Sequence, residues 1–446
     1  MNNLLPLGPY AWTFIACYLS SLLFIGWYAK KFSKENTLSD FYLAGGGLSY
    51  GILFLTLFAT QYSGNTFFGF TGATYRIGYS WILSLHFMTS IVVCYLLFAP
   101  KLFLLAKKHK FITPPDFIKY RFNNKYLTFL VTLIMLVVLC NYLLAQLMAM
   151  GRAMQGISGQ ENFYTLGVIV LALIIVIYGT LGGLRAVAWT DAIQGVILII
   201  GFTVLLIILF QKFGSLTEAT RLIIEMDNKY NTRKAMVPDY ATCRTWLSYI
   251  LIVGFGLSLY PQSIQRIYAA NSIVTLKKSL ALMSFMPLFT MTTVVITGIM
   301  AIAYLPNISG VKTDQVFGII LREIQLFSIF GYAVSILILS AILAAMMSTA
   351  DSALLSISSM FTKDIYSKYQ KISNEEKLTK IGKICSWVVL FFLVILAIKL
   401  KNNFSLVALM DRKMDLLIQL APAFMLGIHN KKIKPVPIII GIIIGV

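Results

Sequence analysis

Charged residues are scarce in this sequence. Only 12% of its 446 residues are Asp, Glu, Lys or Arg, whereas 58% are hydrophobic. A soluble domain carries about a quarter charged residues, and a run of roughly 20 apolar residues is long enough to span a bilayer. The lack of charge excludes a soluble globular protein. The many long apolar runs indicate an all-α polytopic membrane protein.

Acidic residues are scarcer than basic ones, at 17 against 37, and the formal net charge is +20 at pH 7. Such a balance is typical of nucleic-acid-binding proteins and of loops that face anionic lipid. The apolar runs favour lipid. We therefore expect a lipid bilayer and a small-molecule solute as partners, and no nucleic acid. A monomer is sufficient for this, and the oligomeric state stays open.

Cysteine and histidine are also few. The five cysteines form no Cys-x-x-Cys pair, and the three histidines are far apart in the chain. This pattern argues against a disulfide framework and against a metal cluster. The apolar runs contain no nucleophile with a nearby base, so we do not expect an enzyme.

Twelve apolar runs are predicted to span the membrane as one transmembrane domain, 1–446. The ten central runs divide into 51–211 and 246–426, and an odd number of spans per half gives an inverted repeat. An extra helix is predicted at 10–27, and at least part of a C-terminal one at 436–446. Most basic residues fall in loops that are cytoplasmic if the N-terminus is outside. We predict that orientation, in the plasma (inner) membrane.

One run, LSAILAAMMSTADSALLSISS (Leu339–Ser359), is rich in hydroxyl groups. At helical spacing, Ala345, Ser348, Thr349 and Ser352 lie on one face. Small and hydroxyl residues let membrane helices pack closely, and neutral oxygens also bind hard cations. Both a packing seam and an ion site are open at this point.

Two runs contain candidate helix breaks. The polar stretch Phe58–Thr66 interrupts the second run, and Gly254-Phe255-Gly256 is followed by Pro261 in the seventh. Unwound backbone frees carbonyl groups that can bind a cation or a solute. Close helix packing is the alternative explanation for the glycines.

The breaks also supply the candidate solute contacts, together with a histidine across the cavity. These residues are Gln61, Ser63, Asn65, Thr66, Phe255, Ser258 and His86. A packed, hydrogen-bonded histidine is the alternative for the last of them. We expect no lysine or arginine at this depth, which favours a zwitterion, a neutral polyol or a small carboxylate such as pantothenate.

Two acids, Asp191 and Asp351, lie nearest to the interior of a span. A carboxylate at such a position is costly and is usually functional or paired. Asp191 is either an ion residue or a charge at a helix N-terminus. Asp351 is either part of the ion site or a partner of Arg185 or Arg266.

Four local matches, made by five segments, carry a resemblance to the sodium:solute symporter family, which has the LeuT-type fold. SDFYLAGGGLS resembles the segment before the first core helix, FATQYSG the break in that helix, and GGLRAVAWTDAIQ the start of the fifth. The second half is matched by QRIYAANS together with LAAMMSTADSALLSISSMFTKDIY. The segments are Ser39–Ser49, Phe58–Gly64, Gly182–Gln194, Gln265–Ser272 and Leu343–Tyr366.

The resemblance implies a sodium site and sodium as the co-transported ion. Its ligands would be the backbone carbonyls of Ala59, Tyr62 and Ala345 and the hydroxyls of Ser348 and Thr349. Asp191 matches an acid that the family places near the ion. Two positions depart from the pattern: Gln61 stands where some members have aspartate, and Gly46 where several have arginine.

These observations predict a secondary active transporter that brings a small polar organic solute into the cell together with sodium, by alternating access. The solute would be an amino acid, a vitamin such as pantothenate, a sugar or a carboxylate. The alternatives are a proton-coupled symporter that uses Asp191 or Asp351, and a ligand sensor with the transporter fold.

Overall fold

The computed structural model describes residues 8–30, 37–370 and 374–445, so Val446, the last residue of the final predicted span, lies outside it. The described part is helical, with one isolated β-bridge between Leu48 and Ala270. The helices are α1 Pro9–Lys30, α2 Leu38–Leu43, α3 Tyr50–Gln61, α4 Phe70–Ile77, α5 Leu83–His109, α6 Pro114–Phe122, α7 Lys125–Ser158, α8 Asn162–Phe213, α9 Leu216–Tyr230, α10 Tyr240–Leu257, α11 Pro261–Ala269, α12 Ile273–Met283, α13 Met286–Tyr304, α14 Val316–Phe327, α15 Ile329–Met360, α16 Ser367–Gln370, α17 Glu375–Lys399, α18 Leu406–Ile418, α19 Gly427–His429 and α20 Pro435–Gly445.

Each of the twelve predicted spans coincides with one helix or with consecutive helical segments. By length and hydropathy, six described helices are able to cross a membrane, or seven if the pair α10–α11, bent by 54°, counts as one span. Other helices are too short to cross a membrane because they are interrupted. Helix α3, for example, ends at the predicted break. The predicted all-α membrane class is confirmed.

Two of the apolar runs predicted as separate spans, Thr165–Gly182 and Ala188–Gln211, belong to one long helix, α8, with a break at Gly183 (φ +60°, ψ −160°). A Cβ atom at this position would lie 2.4 Å from the carbonyl oxygen of Phe41. Both the backbone angle and the close approach therefore require glycine.

The hydroxyl-rich helix α15 lies in the centre of the bundle. It packs against α8, α7 and α3, and every residue from Ile338 to Met360 is buried. A helix that is buried on all sides belongs to the core of a large protein. Its hydroxyl groups therefore face protein and not lipid.

The first predicted break is present. Helix α3 ends at Gln61, and Tyr62 is extended (φ −95°, ψ 112°). A π-helical turn, Asn65–Gly69, then leads into α4. The second apolar run is thus two helical pieces joined by two non-helical residues, Tyr62 and Ser63.

The second break lies slightly later than predicted. Gly254 and Gly256 are both within α10, and the non-helical residues are those between Leu257 and Pro261. A Cβ at Gly254 would lie 2.6 Å from Ser90 Oγ on α5. This glycine therefore serves close packing of α10 on α5, and Pro261 begins the next helix, where its missing N–H is tolerated.

Candidate functional site

The hydroxyl groups of α15 contact the end of α3 at the first break. Ser348 Oγ donates to the carbonyl oxygen of Ala59 at 2.8 Å and approaches that of Ala345 at 3.2 Å. Thr349 Oγ1 donates to the carbonyl oxygen of Thr60 at 3.3 Å. All these residues are buried. The structure thus brings together four of the six residues predicted around sodium.

The break accounts for the availability of these carbonyl groups. In a continuous helix the carbonyls of Ala59 and Thr60 would accept from the backbone N–H groups four residues later. Those N–H groups instead donate to side chains: Ser63 N to Thr66 Oγ1 at 3.2 Å, and Gly64 N to Gln146 Oε1 at 2.9 Å. Two carbonyl oxygens therefore point away from their own helix toward α15.

Asp191 is fully buried but already has a cationic partner. Its Oδ2 accepts from Arg266 Nη2 at 2.8 Å and from Thr56 Oγ1 at 2.5 Å. The Arg266 guanidinium also donates to Ser352 Oγ at 2.5 Å, and Ser352 Oγ donates to the Ser348 carbonyl at 2.5 Å. One chain of hydrogen bonds therefore connects this carboxylate to the residue that contacts Ala59.

Asp351 lies beside this chain and not in it. Its Oδ1 is 3.3 Å from Ser352 Oγ, and its Oδ2 has no hydrogen-bond partner among the described residues. The other candidate partner, Arg185, pairs with Asp40 at 2.7 Å. Arg266 itself is buried, with only 1% of its surface exposed.

A small cavity lies beside the two breaks, with a volume of about 20 Å³, enough for about one water molecule. It is lined by Thr60, Gln61, Ile91, Tyr95, Tyr142, Leu257, Tyr260 and Ser263. Of the predicted solute contacts, only Gln61 is in this lining. The other wall residues come from α3, α5, α7, α10 and α11 and from Tyr260, which directly precedes α11.

The remaining predicted contacts lie elsewhere. Ser63, Asn65 and Thr66 are buried at the break but do not line this cavity. Phe255 is in α10, and Ser258 Oγ donates to its carbonyl oxygen at 3.1 Å. His86 is exposed, and its ring lies 5.9 Å from that of Trp246. The structure does not bring this histidine to the cavity.

The expectation that no basic side chain lies at this depth is wrong. Lys413 on α18 is 2% exposed, and its Nζ lies 3.9 Å from the ring centre of Tyr142. The apolar run of the sequence near this lysine starts only at Leu416, whereas α18 begins at Leu406 and includes Lys413. The helical spacing of the apolar residues could have indicated that Lys413 is buried. The buried residues of α18 are Leu406, Val407, Leu409, Met410, Lys413, Met414 and Leu417.

Comparisons with known proteins agree with the geometry. The model of the sodium:solute symporter family matches residues 41–445. A sodium/pantothenate symporter of Haemophilus influenzae is 27% identical over 83% of this chain and 75% of its own length. An osmoregulated proline transporter of Bacillus subtilis is 29% identical over 86% of this chain and 77% of its own length.

A solved structure, the substrate-bound outward-open state of a Na⁺-coupled sialic acid symporter, superimposes with a TM-score of 0.79 at 22% identity. The match covers 98% of this chain and 90% of the other, and it shows that the fold is of the LeuT type. The chain belongs to the sodium:solute symporter family: it is a multi-pass transporter of the plasma membrane, not an enzyme, and it carries a small solute together with sodium.

Proposed function

We propose that sodium is bound where α15 meets the first break. The ligands are the carbonyls of Ala59, Tyr62 and Ala345 and the hydroxyls of Ser348 and Thr349. The 2.8 Å contact between Ser348 Oγ and the Ala59 carbonyl carries this proposal. It places two neutral oxygens from different helices close together, and such oxygens suit a hard cation.

Asp191 contributes to this proposal as the acid near the ion. Its Oδ2 is held by Arg266 and Thr56, whereas its Oδ1 has no partner in the described part of the chain. The carboxylate thus keeps one free oxygen, and it orients Ser352, and through it the Ser348 backbone, by way of the Arg266 guanidinium.

Sodium at this position would connect α3 to α15 and favour the conformations in which the two remain in contact. The solute would bind in the neighbouring cavity, with Gln61 as a contact and with Ser63, Asn65 and Thr66 at the break. We also propose that the N-terminus is outside, that 51–211 and 246–426 are the two inverted repeats, and that a monomer is sufficient.

The solute belongs to the range that the relatives carry. The matched relatives are named for pantothenate, proline and glucose. For a solute without net charge, one sodium ion that moves down 100 mV supplies about 2.3 kcal/mol, and a tenfold sodium ratio adds about 1.4 kcal/mol. Together these support a solute gradient of a few hundredfold.

The test is uptake of labelled pantothenate and proline into liposomes that contain the purified protein, with and without a sodium gradient. Ser348→Ala should raise the sodium concentration for half-maximal uptake by about tenfold, because a ligand is lost. Ser340→Ala is the matched control: this serine is also buried on α15, but its Oγ donates to Ile336 of its own helix at 2.9 Å. Equal sodium dependence of the two variants would reject the site.

A further inference from the structure

A buried lysine forms part of the cavity environment. Lys413 lies on the buried face of α18, three residues after Met410 and four before Leu417. Its ammonium group is 3.9 Å from the ring centre of Tyr142 and 5.5 Å from that of Tyr260. Both tyrosines line the central cavity. The cation therefore lies next to two residues of the cavity wall, although Lys413 does not itself line the cavity.

The two tyrosine rings form a platform for this cation. They are stacked with centres 4.8 Å apart and planes inclined by 13°. The face of an aromatic ring attracts an ammonium group, so the pair holds the lysine side chain in place. An aromatic face does not neutralise the charge, however, and a buried charge normally requires a hydrogen-bonded counter-ion.

Among the residues that the structure describes, no counter-ion is in contact with this ammonium. Within the described ranges, the ion pairs up to 4.0 Å do not include Lys413. The nearest acids in sequence are Asp411 and Asp415, two residues away on either side; Asp411 attracts the ammonium electrostatically but is not in ion-pair contact with it. Asp411 instead accepts from the Tyr249 hydroxyl at 3.3 Å.

Two of the polar groups around the cavity are donors that lack an acceptor. In the described part of the protein, neither the Gln61 Nε2 nor the Tyr260 hydroxyl has a hydrogen-bond partner, although both are buried. The residues that line the cavity include no acid. An ammonium, an amide N–H and a phenol O–H together suit an oxyanion.

We propose that Lys413 is the specificity residue for the solute and that it binds a carboxylate. The substrate class is then a small organic carboxylic acid in its ionised form, with Gln61 and Tyr260 as the further donors. The proposal rests on sodium-coupled uptake as proposed above. It selects among the solutes named there, because a neutral sugar would leave the ammonium without a partner.

The experiment compares matched pairs of compounds that differ only at the carboxyl group. Pantothenate is paired with panthenol, proline with prolinamide, and lactate with lactamide; glucose serves as a neutral sugar. Binding to the purified full chain in sodium is measured by thermal shift, and uptake is measured in liposomes. We expect the carboxylate of a pair to bind roughly ten- to a hundredfold more tightly than the partner that lacks the carboxylate.

Variants then assign this preference to the lysine. Lys413→Gln should weaken the binding of the carboxylate by a similar factor and leave the binding of the partner without a carboxylate almost unchanged. Lys413→Arg keeps the positive charge and should therefore keep the preference for the carboxylate. Lys432→Gln, at an exposed position, is the control for loss of one positive charge. The wild-type comparison of each pair needs no variant, so it tests the substrate class even if Lys413→Gln does not fold.

Two results would overturn the inference: sodium-dependent uptake of glucose with no preference for any carboxylate, or an unchanged preference in Lys413→Gln. Neither result affects the sodium site. Uptake of a carboxylate that is indifferent to the sodium gradient would instead reject the proposed function, so the two failures are distinguishable.

Discussion

Two buried charge clusters lie on opposite sides of the break between α3 and α4, and they balance charge in opposite ways. The first cluster consists of Asp314, just before α14, and two cations. Asp314 is 3.1 Å from Arg76 and 2.5 Å from Arg152. Its Oδ2 also accepts from the backbone N–H of Leu406 at 2.7 Å. Both oxygens of this carboxylate therefore have partners.

In the cluster at α11 one cation serves two acids. Arg266 pairs directly with Asp191, whereas Asp351 lies beside the Ser352 hydroxyl, 3.3 Å from it, and has no direct contact with the guanidinium. Each acid keeps one oxygen without a partner among the described residues. In the first cluster all acceptor atoms of the carboxylate are used to hold segments of the chain together. In the second cluster, free acceptor atoms remain beside the proposed sodium site.

The largest effect is expected at Arg266. Arg266→Met leaves two buried carboxylates without a cation, and breaking a buried pair in this way costs about 3–5 kcal/mol. The apparent melting temperature of the purified protein should fall clearly, and Asp191→Asn in the same chain should restore part of it. The measurement is a thermal unfolding curve in detergent.

The matched control is Arg221→Met. Arg221 pairs with Glu225 on α9, but the two side chains are 81% and 62% exposed, and such pairs contribute at most about 1 kcal/mol. If Arg266→Met melts at the same temperature as Arg221→Met, the second cluster does not depend on its single cation.

A smaller loss is expected at Asp314. Asp314→Asn removes the negative charge that neutralises Arg152, whose side chain is only 2% exposed. The amide oxygen can still accept one hydrogen bond, and Arg76 is 29% exposed and can turn to water. We expect a loss of about 2–3 kcal/mol in the same unfolding measurement. A loss larger than that of Arg266→Met would reverse the order of the two clusters.

Ser352→Ala should have a smaller effect than either. It removes the hydroxyl that links Arg266 to the Ser348 backbone, and one such hydrogen bond contributes about 1 kcal/mol. Ser340→Ala changes another buried serine of α15, and that serine bonds only to its own helix. The difference between the two melting temperatures measures the link, and equal values would show that it contributes nothing to stability.

Much of this architecture could be predicted from the sequence because its signals are local. The twelve spans follow from apolar runs, the first break from a polar stretch inside one of them, and the hydroxyl face from helical spacing. The contact between Ser348 and Ala59 spans 289 residues, and it was anticipated only because the segments resemble those of a known family.

The charged core was missed for a physical reason. Arg266 and Lys413 stand in short polar stretches, which resemble loops when hydropathy alone is considered. Whether such a residue is buried depends on which helices meet it, and that is a property of the tertiary fold. For Lys413 the apolar residues three and four positions away indicated burial, whereas nothing near Arg266 indicated that its partner is Asp191.

The smallest effect, and the sharpest comparison, is expected from Asp351→Asn. The same chemical change as Asp314→Asn is made at a buried acid in the other cluster. Here the lost charge is one of two, the Oδ2 has no partner in the described part of the chain, and an amide oxygen can still accept from Ser352. One arginine then faces one aspartate, so we expect the stability to change by no more than about 1 kcal/mol. Unfolding curves of both variants, recorded side by side, decide the point: if Asp351→Asn costs as much as Asp314→Asn, the two clusters do not differ in the way their partners suggest.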